Sequence, residues 1–129
     1  MPGLQKEKED MSFKCIIAGS RSFQDYEMLK ERCDLLLKYK AEKSIEIISG
    51  TAHGADALGE RYAIERGYKL IRMPANWEQE GRSAGYKRNV AMAEKADALI
   101  AFWDGKSRGT EHMIRIAKDR GLQVRVIRF

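Results

Sequence analysis

The sequence has little of what a chain held together from outside would need. Its two cysteines, Cys15 and Cys33, fit no metal spacing and no disulfide framework. Its two histidines, His53 and His112, are not placed as a metal pair. Both thiols are therefore expected to be buried as small hydrophobes, and no metal or cofactor is expected. No apolar run approaches the ~20 residues of a membrane span. No apolar signal core stands at the N-terminus, so a cytoplasmic location and no membrane partner are expected. Charge of one sign never accumulates in a block, so a basic nucleic-acid tail is absent. No Gly-Lys-Ser/Thr follows a glycine turn, which excludes a Walker loop, and the Gly-x-Gly-x-x-Gly dinucleotide fingerprint is missing too. No Ser-His-Asp arrangement can be argued from residue order.

What is present is an ordinary globular composition. The chain has 129 residues, 43% hydrophobic and 33% charged, with a net charge of +5. That length suits one domain with its own core. The positive balance is compatible with phosphate-bearing partners, small nucleotides or nucleic acid, and does not choose between them. Residues 1–12 are mostly polar, Lys and Glu alternating, and read as a tail or an alternative-start extension before a domain over 13–129.

From Phe13 the pattern alternates apolar runs with helical spacings. Strands are expected near Phe13–Ala18, Ser44–Ile48, Tyr68–Met73, Asp97–Trp103 and Gln123–Phe129. Between them, Tyr26, Leu29, Cys33 and Leu36 fall on one helical face behind an Asp25 cap. Ala55, Leu58 and Tyr62 share a face in a helix ending near Gly67. A third helix spans Ala84–Lys95 after a loop from Pro74 to Ser83. A fourth starts at Thr110 as its cap, with Glu111 in the first turn, and ends at Gly121. Alternation at Val124-Arg125-Val126 suggests a sheet edge. Five strands separated by four helices give an α/β, Rossmann-like doubly wound parallel sheet, whose ligands bind at the carboxyl ends of the strands.

The loops expected at that end are also those richest in Gly, Ser, Arg and Asp. Gly19, Ser20 and Arg21 follow the first strand. Ser49, Gly50, Thr51, Gly54, Ala55 and Asp56 make a strand-to-helix turn with two glycines four residues apart. Asp104, Ser107, Gly109 and Thr110 repeat the device after the fourth strand. A helix N-terminus carries about half a positive charge and unpaired N–H groups, and glycine lets a phosphate approach them. Both turns are expected to face one nucleotide-like ligand. Arg21 and Arg88 are candidate phosphate or ribose clamps, since a guanidinium suits bidentate anion binding. Trp77 and Trp103 are candidates for stacking on a base, and His53 for a proton shuttle.

Five motifs in this order resemble the YspA-like family of the SLOG superfamily. They are Gly19-Ser20-Arg21-Ser22-Phe23, Ser49-Gly50-x-Ala52-x-Gly54-Ala55-Asp56, Pro74-Ala75-x-Trp77, Gly85-x-x-Arg88-Asn89-x-x-Met92, and Ala101-Phe102-Trp103-Asp104-Gly105-x-Ser107-x-Gly109-Thr110. The resemblance covers nearly all of 13–129. It implies a Rossmann-like fold and a site for a nucleotide or a nucleotide-derived small molecule such as ADP-ribose, NAD or a nucleoside monophosphate. On that reading Ser20, Asn89 and Asp104 would bind ribose hydroxyls. The superfamily also holds the Lonely-guy phosphoribohydrolases and the DNA-processing protein DprA. The hydrolases' Arg-Lys-x-x-Met motif resembles Arg88 to Met92, which implies a catalytic part for Arg88. Their phosphate-binding Gly-Thr is kept at Gly109-Thr110, but their catalytic glutamate falls at Met113. If N-glycosidic cleavage occurs, Asp56, Asp104 or Glu111 would be its acid or base. Glu111 cannot simply replace the missing group, lying about 200° around the helix from Met113. Single-stranded DNA binding is permitted by the charge but not favoured, because no arginine-aromatic array stands out. A homo-oligomer stays open, since such domains often pair through helix faces.

Overall fold

The computed structural model describes residues 12–129. The tail expected over 1–12 therefore lies outside the described residues, Ser12 excepted.

Five strands form one parallel sheet: β1 (Phe13–Gly19), β2 (Ile45–Ser49), β3 (Lys69–Arg72), β4 (Ala98–Trp103) and β5 (Gln123–Arg128), in the order β3-β2-β1-β4-β5. Four long helices cover it: α1 (Tyr26–Leu37), α2 (Ala55–Arg66), α4 (Ala84–Lys95) and α5 (Arg108–Asp119). A single turn, α3 (Trp77–Glu80), and a 3-10 turn at Gly81–Ser83 give structure to the loop expected over Pro74–Ser83. This is the expected α/β Rossmann-like architecture.

The centre of the sheet is buried on both faces because its strands carry consecutive apolar residues, Cys15–Ala18 in β1, Ile47 and Ile48 in β2 and Ala98–Phe102 in β4, rather than alternate ones. Cys15 and Ile17 of β1, Ile45 and Ile47 of β2, and Ile100 and Phe102 of β4 point to one face. They pack there with Leu29, Cys33 and Leu37 of α1 and Tyr62 and Ala63 of α2. Ile16, Ala18, Ile48, Leu99 and Ala101 point to the other face, against Met92 and Ala93 of α4 and Met113, Ile114 and Ala117 of α5. Each isoleucine so buried contributes roughly 1.5–3 kcal/mol. Both thiols are buried, as expected, and burial pushes Cys15 up to about 12. Among the described residues no helix is long and apolar enough to cross a membrane.

Two local expectations are corrected. On α1 it is Leu37, 3% exposed, that faces the core, and Leu36 is 36% exposed. Tyr26, Leu29, Cys33 and Leu37 step by three and four residues, which keeps the stripe centred; Leu36 sits at its margin. At α5 the cap is Ser107, whose Oγ accepts from the Thr110 N–H, so Thr110 lies inside the first turn. Asp25 does cap α1, accepting from the Met28 N–H at 3.0 Å.

Strand order decides where a ligand can sit. The chain moves outward from β1 to β2 and β3, then returns to the other side of β1 as β4 and β5. Loops leaving β1 and β4 therefore diverge to opposite faces and open a crevice at their carboxyl ends.

Candidate functional site

The base of the crevice is a set of loops tied to one another. Ser20 is 1% exposed and holds three of them. Its N–H donates to the Phe102 carbonyl at 2.8 Å, its carbonyl accepts from the Ala55 N–H at 3.3 Å, and its Oγ accepts from the Asp104 N–H at 3.1 Å. Ser49, fully buried, donates its hydroxyl to Glu60 at 2.7 Å and accepts from the Thr51 N–H. Glu60 in turn pairs with Arg72 at 2.8 Å. Asp104 folds its own loop, with Oδ1 accepting from the Lys106 and Ser107 N–H groups, both at 2.8 Å. Those hydrogen bonds hold its carboxyl below the usual carboxylate range.

Gly54 shows why the second turn carries glycine. Its φ is +77°, and a β-carbon there would collide with the carbonyl oxygens of Ser20 and Arg21. The β1–α1 and β2–α2 loops are thus in backbone contact, which only glycine permits. Thr51, beside it, has φ +65°, an outlier for a β-branched residue.

The centre of the site is Asp56 and Arg88. Asp56 is 4% exposed in the first turn of α2, and Oδ2 accepts from the Ala52 N–H at 3.2 Å. Burial raises its carboxyl to about 6, against the pull of the Ala52 and Gly19 N–H groups and the Arg88 charge. Arg88 reaches across from α4. Its Nη1 donates to the Gly50 carbonyl, and its Nε donates to Asn89 Oδ1 at 3.0 Å. A β-carbon on Gly50 would lie 2.7 Å from Arg88 Nη1 and 2.8 Å from Asp56 Oδ2, so a larger residue there would push the guanidinium and the carboxylate out of place. Partial burial, and the neighbouring Arg21 charge, lower the Arg88 pKa.

The N-terminus of α2 is therefore not bare. Its Ala55 N–H is taken by the Ser20 carbonyl, and the Asp56 carboxylate bonds back to the turn. The N-terminal turn of α5 is different. Gly109 is exposed, and a β-carbon there would meet nothing within 4 Å.

Around this centre lie two adjoining hollows. The first, about 280 Å³, has a floor of Ala18, Met92 and Met113. Its walls include Gly19, Asp56, Asn89, Ser107, Gly109 and Thr110. Arg82 and the exposed rings of Trp77 and Tyr86, 53% and 49% exposed, stand at its rim. The second, about 360 Å³, runs along Gly50, Thr51, His53, Pro74 and Ala75. Arg21, Ala52, Trp77 and Arg88 line both. The two glycine turns do meet in the first hollow, through Ala52 and Asp56 on one side and Gly109 and Thr110 on the other.

Of the residues expected at the site, Ser20, Ser49, Gly54, Ala55 and Asp104 build the loops and line neither hollow. Ser20 and Asn89, expected on ribose hydroxyls, have their polar groups engaged in the protein. Asn89 Nδ2 donates to the Gly109 carbonyl at 3.2 Å and lies 3.2 Å from His112 Nδ1, although the side chain still borders the first hollow. Glu111 is exposed and lines neither hollow, while Met113, at the position of the missing glutamate, forms part of the floor. Trp103 is turned away, donating to the Ser107 carbonyl at 3.1 Å with the Arg128 guanidinium 5.2 Å from its ring. Sequence reasoning missed Arg82 and Tyr86 as wall residues. Tyr86 packs edge-on to His112, with centroids 4.5 Å apart.

Comparison with known proteins places these features. The model of the YspA, cpYpsA-related SLOG family matches residues 13–79. The gene 61 protein of Mycobacterium phage D29 is 31% identical over 117 residues, covering 86% of this chain and 93% of that protein. Among solved structures, DNA processing protein A (DprA) from Streptococcus pneumoniae is similar with a TM-score of 0.71 and 16% identity. The match covers 93% of this chain and 51% of that one, so the chain spans about half of it. DNA processing protein A from Helicobacter pylori, described for its single-stranded DNA binding mode, gives a TM-score of 0.68 and 21% identity over 93% of this chain and 67% of that one.

Proposed function

The chain belongs to the YspA, cpYpsA-related SLOG family, and on that premise we propose that its crevice binds a nucleotide or nucleotide-derived small molecule. The observation that carries the reading is the pairing of Arg88 with Arg21 at the walls of a crevice whose rim is aromatic. Arg88 is aimed by its bonds to Gly50 and Asn89, which leaves Nη2 without a protein acceptor among the described residues. A guanidinium fixed in this way has already lost the rotamer freedom that anion binding would otherwise take. The open turn at Gly109 adds the positive end of the α5 dipole on the far wall. Trp77 and Tyr86 offer faces on which a base can stack.

Melting curves with AMP, ADP-ribose and NAD at millimolar concentration test this. Ligand at about 100 times its dissociation constant stabilises by roughly 2.7 kcal/mol, which raises the melting temperature by several degrees in a protein of this size. The rise should vanish in Arg88→Ala. No shift with any of the three would overturn the proposal.

A second reading is supported by the DprA likeness: a single nucleic-acid strand crossing the crevice mouth. Arg82, Arg21 and the exposed Trp77 and Tyr86 would serve it as cations and stacking faces. The hydrolase alternative retains one carboxylate in the crevice, Asp56, beside Arg88. Free base released from AMP during the same titrations would promote it.

A further inference from the structure

We propose that His112 is a positioning residue for the crevice: with Nδ1 as an acceptor it fixes the Asn89 amide, and through Asn89 it aims the Arg88 guanidinium. This rests on Arg88 as the anion-holding group of the nucleotide reading and adds how that group is held.

Donors and acceptors leave His112 one arrangement. Asn89 is 6% exposed, so the polar atoms of its amide need protein partners. Its Oδ1 accepts from Arg88 Nε at 3.0 Å, and its Nδ2 donates to the Gly109 carbonyl at 3.2 Å. A flipped amide would set oxygen against oxygen at Gly109 and N–H against N–H at Arg88. The two contacts therefore fix its orientation independently. The second Nδ2 hydrogen is left for His112 Nδ1, 3.2 Å away. That nitrogen has to accept, which puts the ring proton on Nε2.

His112 lines neither hollow, so it acts on a ligand only through its neighbours. Besides Asn89, the Tyr86 ring stands edge-on to it at the rim, with centroids 4.5 Å apart. One half-buried ring of α5 thus orders a cation and an aromatic face carried by α4. A proton on Nδ1 would turn N–H against N–H and release the amide. Burial lowers the His112 pKa, and the Arg115 charge on its own helix acts in the same direction, so neutral pH holds the accepting form. Tyr86 is the titratable group that α4 brings against it; Asp56 and Arg21 act on Arg88 instead.

Two variants separate the bond from the packing. His112→Phe keeps a ring against Tyr86 and has no acceptor. His112→Asn loses the ring and keeps an oxygen where Nδ1 stood. In calorimetry at neutral pH with NAD as the probe, His112→Phe should bind about five- to tenfold more weakly than wild type, the effect of a buried donor left unpaired. His112→Asn should restore most of that loss. Wild-type affinity in His112→Phe, or an equal loss in both variants, would overturn the proposal.

Nitrogen NMR of the ligand-free protein gives a second readout. His112 should be the Nε2–H tautomer. As pH falls, the Arg88 Nε–H signal should move with the His112 midpoint, a movement that His112→Asn abolishes while any Asp56 titration remains. An Arg88 signal that moves equally in that variant would assign the movement to Asp56 and overturn the proposal. An Nδ1–H tautomer would overturn it whatever NAD does. An Nε2–H tautomer in a protein that binds no NAD would overturn the nucleotide reading and leave the hold on Arg88 standing.

Discussion

Asp56 and Arg88 face each other across the turn at Gly50, and their environments pull in opposite directions. Burial raises the carboxyl from 3.8 to about 6 and lowers the guanidinium. The folded protein therefore holds the Asp56 proton more tightly than the unfolded chain does. Stability from this group is complete below pH 3.8 and is lost as pH rises through about 6. At about 1.4 kcal/mol per pH unit the loss is on the order of 3 kcal/mol. Asp56→Asn removes the titration but weakens the bonds accepted from the Ala52 and Gly19 N–H groups. Urea unfolding at pH 4 and pH 7 should show the variant gaining on the wild type as pH rises, by a few kcal/mol. An unchanged difference would mean Asp56 is not buried as described.

The glycine turns were visible in the sequence as a repeated device, yet the two elements use glycine for different reasons. At the start of α2, Gly54 lets the β1–α1 loop rest on the turn. Gly54→Ala should cost about 2–4 kcal/mol, combining backbone strain with an overpacked contact, and be read as a lower urea midpoint. At the start of α5, Gly109 borders open space. Gly109→Ala should leave the protein as stable or slightly more so, by up to about 1 kcal/mol, since alanine is the better helix former. The expected nucleotide affinity falls, because the methyl group enters the crevice. If Gly109→Ala destabilised as much as Gly54→Ala, the distinction would fail.

For the molecule as a whole, the α/β parallel sheet was legible from short apolar runs separated by helical spacings, whereas the particular strand order β3-β2-β1-β4-β5 was not. What could not be read was how side chains divide between holding the site and lining it. Ser20, Ser49 and Asp104 look like ligand groups in a sequence, since the short polar side chains that bind ribose also tie loops. Only distances such as that from Ser20 Oγ to the Asp104 N–H separate the two uses. Trp77 and Trp103 likewise look equivalent until Trp103 is found on Arg128. A signal for Met92 was present: Gly85, Arg88, Asn89 and Met92 repeat at helical spacing, so the arginine and the apolar floor share one face of α4. The net charge of +5 left small nucleotides and strands undivided, and salt separates them. If a strand engages Arg21, Arg82 and Arg88, oligonucleotide affinity should fall on the order of tenfold between 50 and 200 mM salt, and Arg82→Ala should flatten the slope. A flat, weak response removes that reading while leaving AMP binding untouched.

Ser20 has a consequence that reaches past its own contacts. The groups it joins are backbone amides and carbonyls of three loops, whereas Trp77, Arg82 and Tyr86 hang outside that frame on the edge of α3, the turn after it and the exposed side of α4. Foundation and furnishing are separate. A change at the rim need not disturb the frame, so the preference for one ligand over another can be rewritten residue by residue without rebuilding the crevice that receives it.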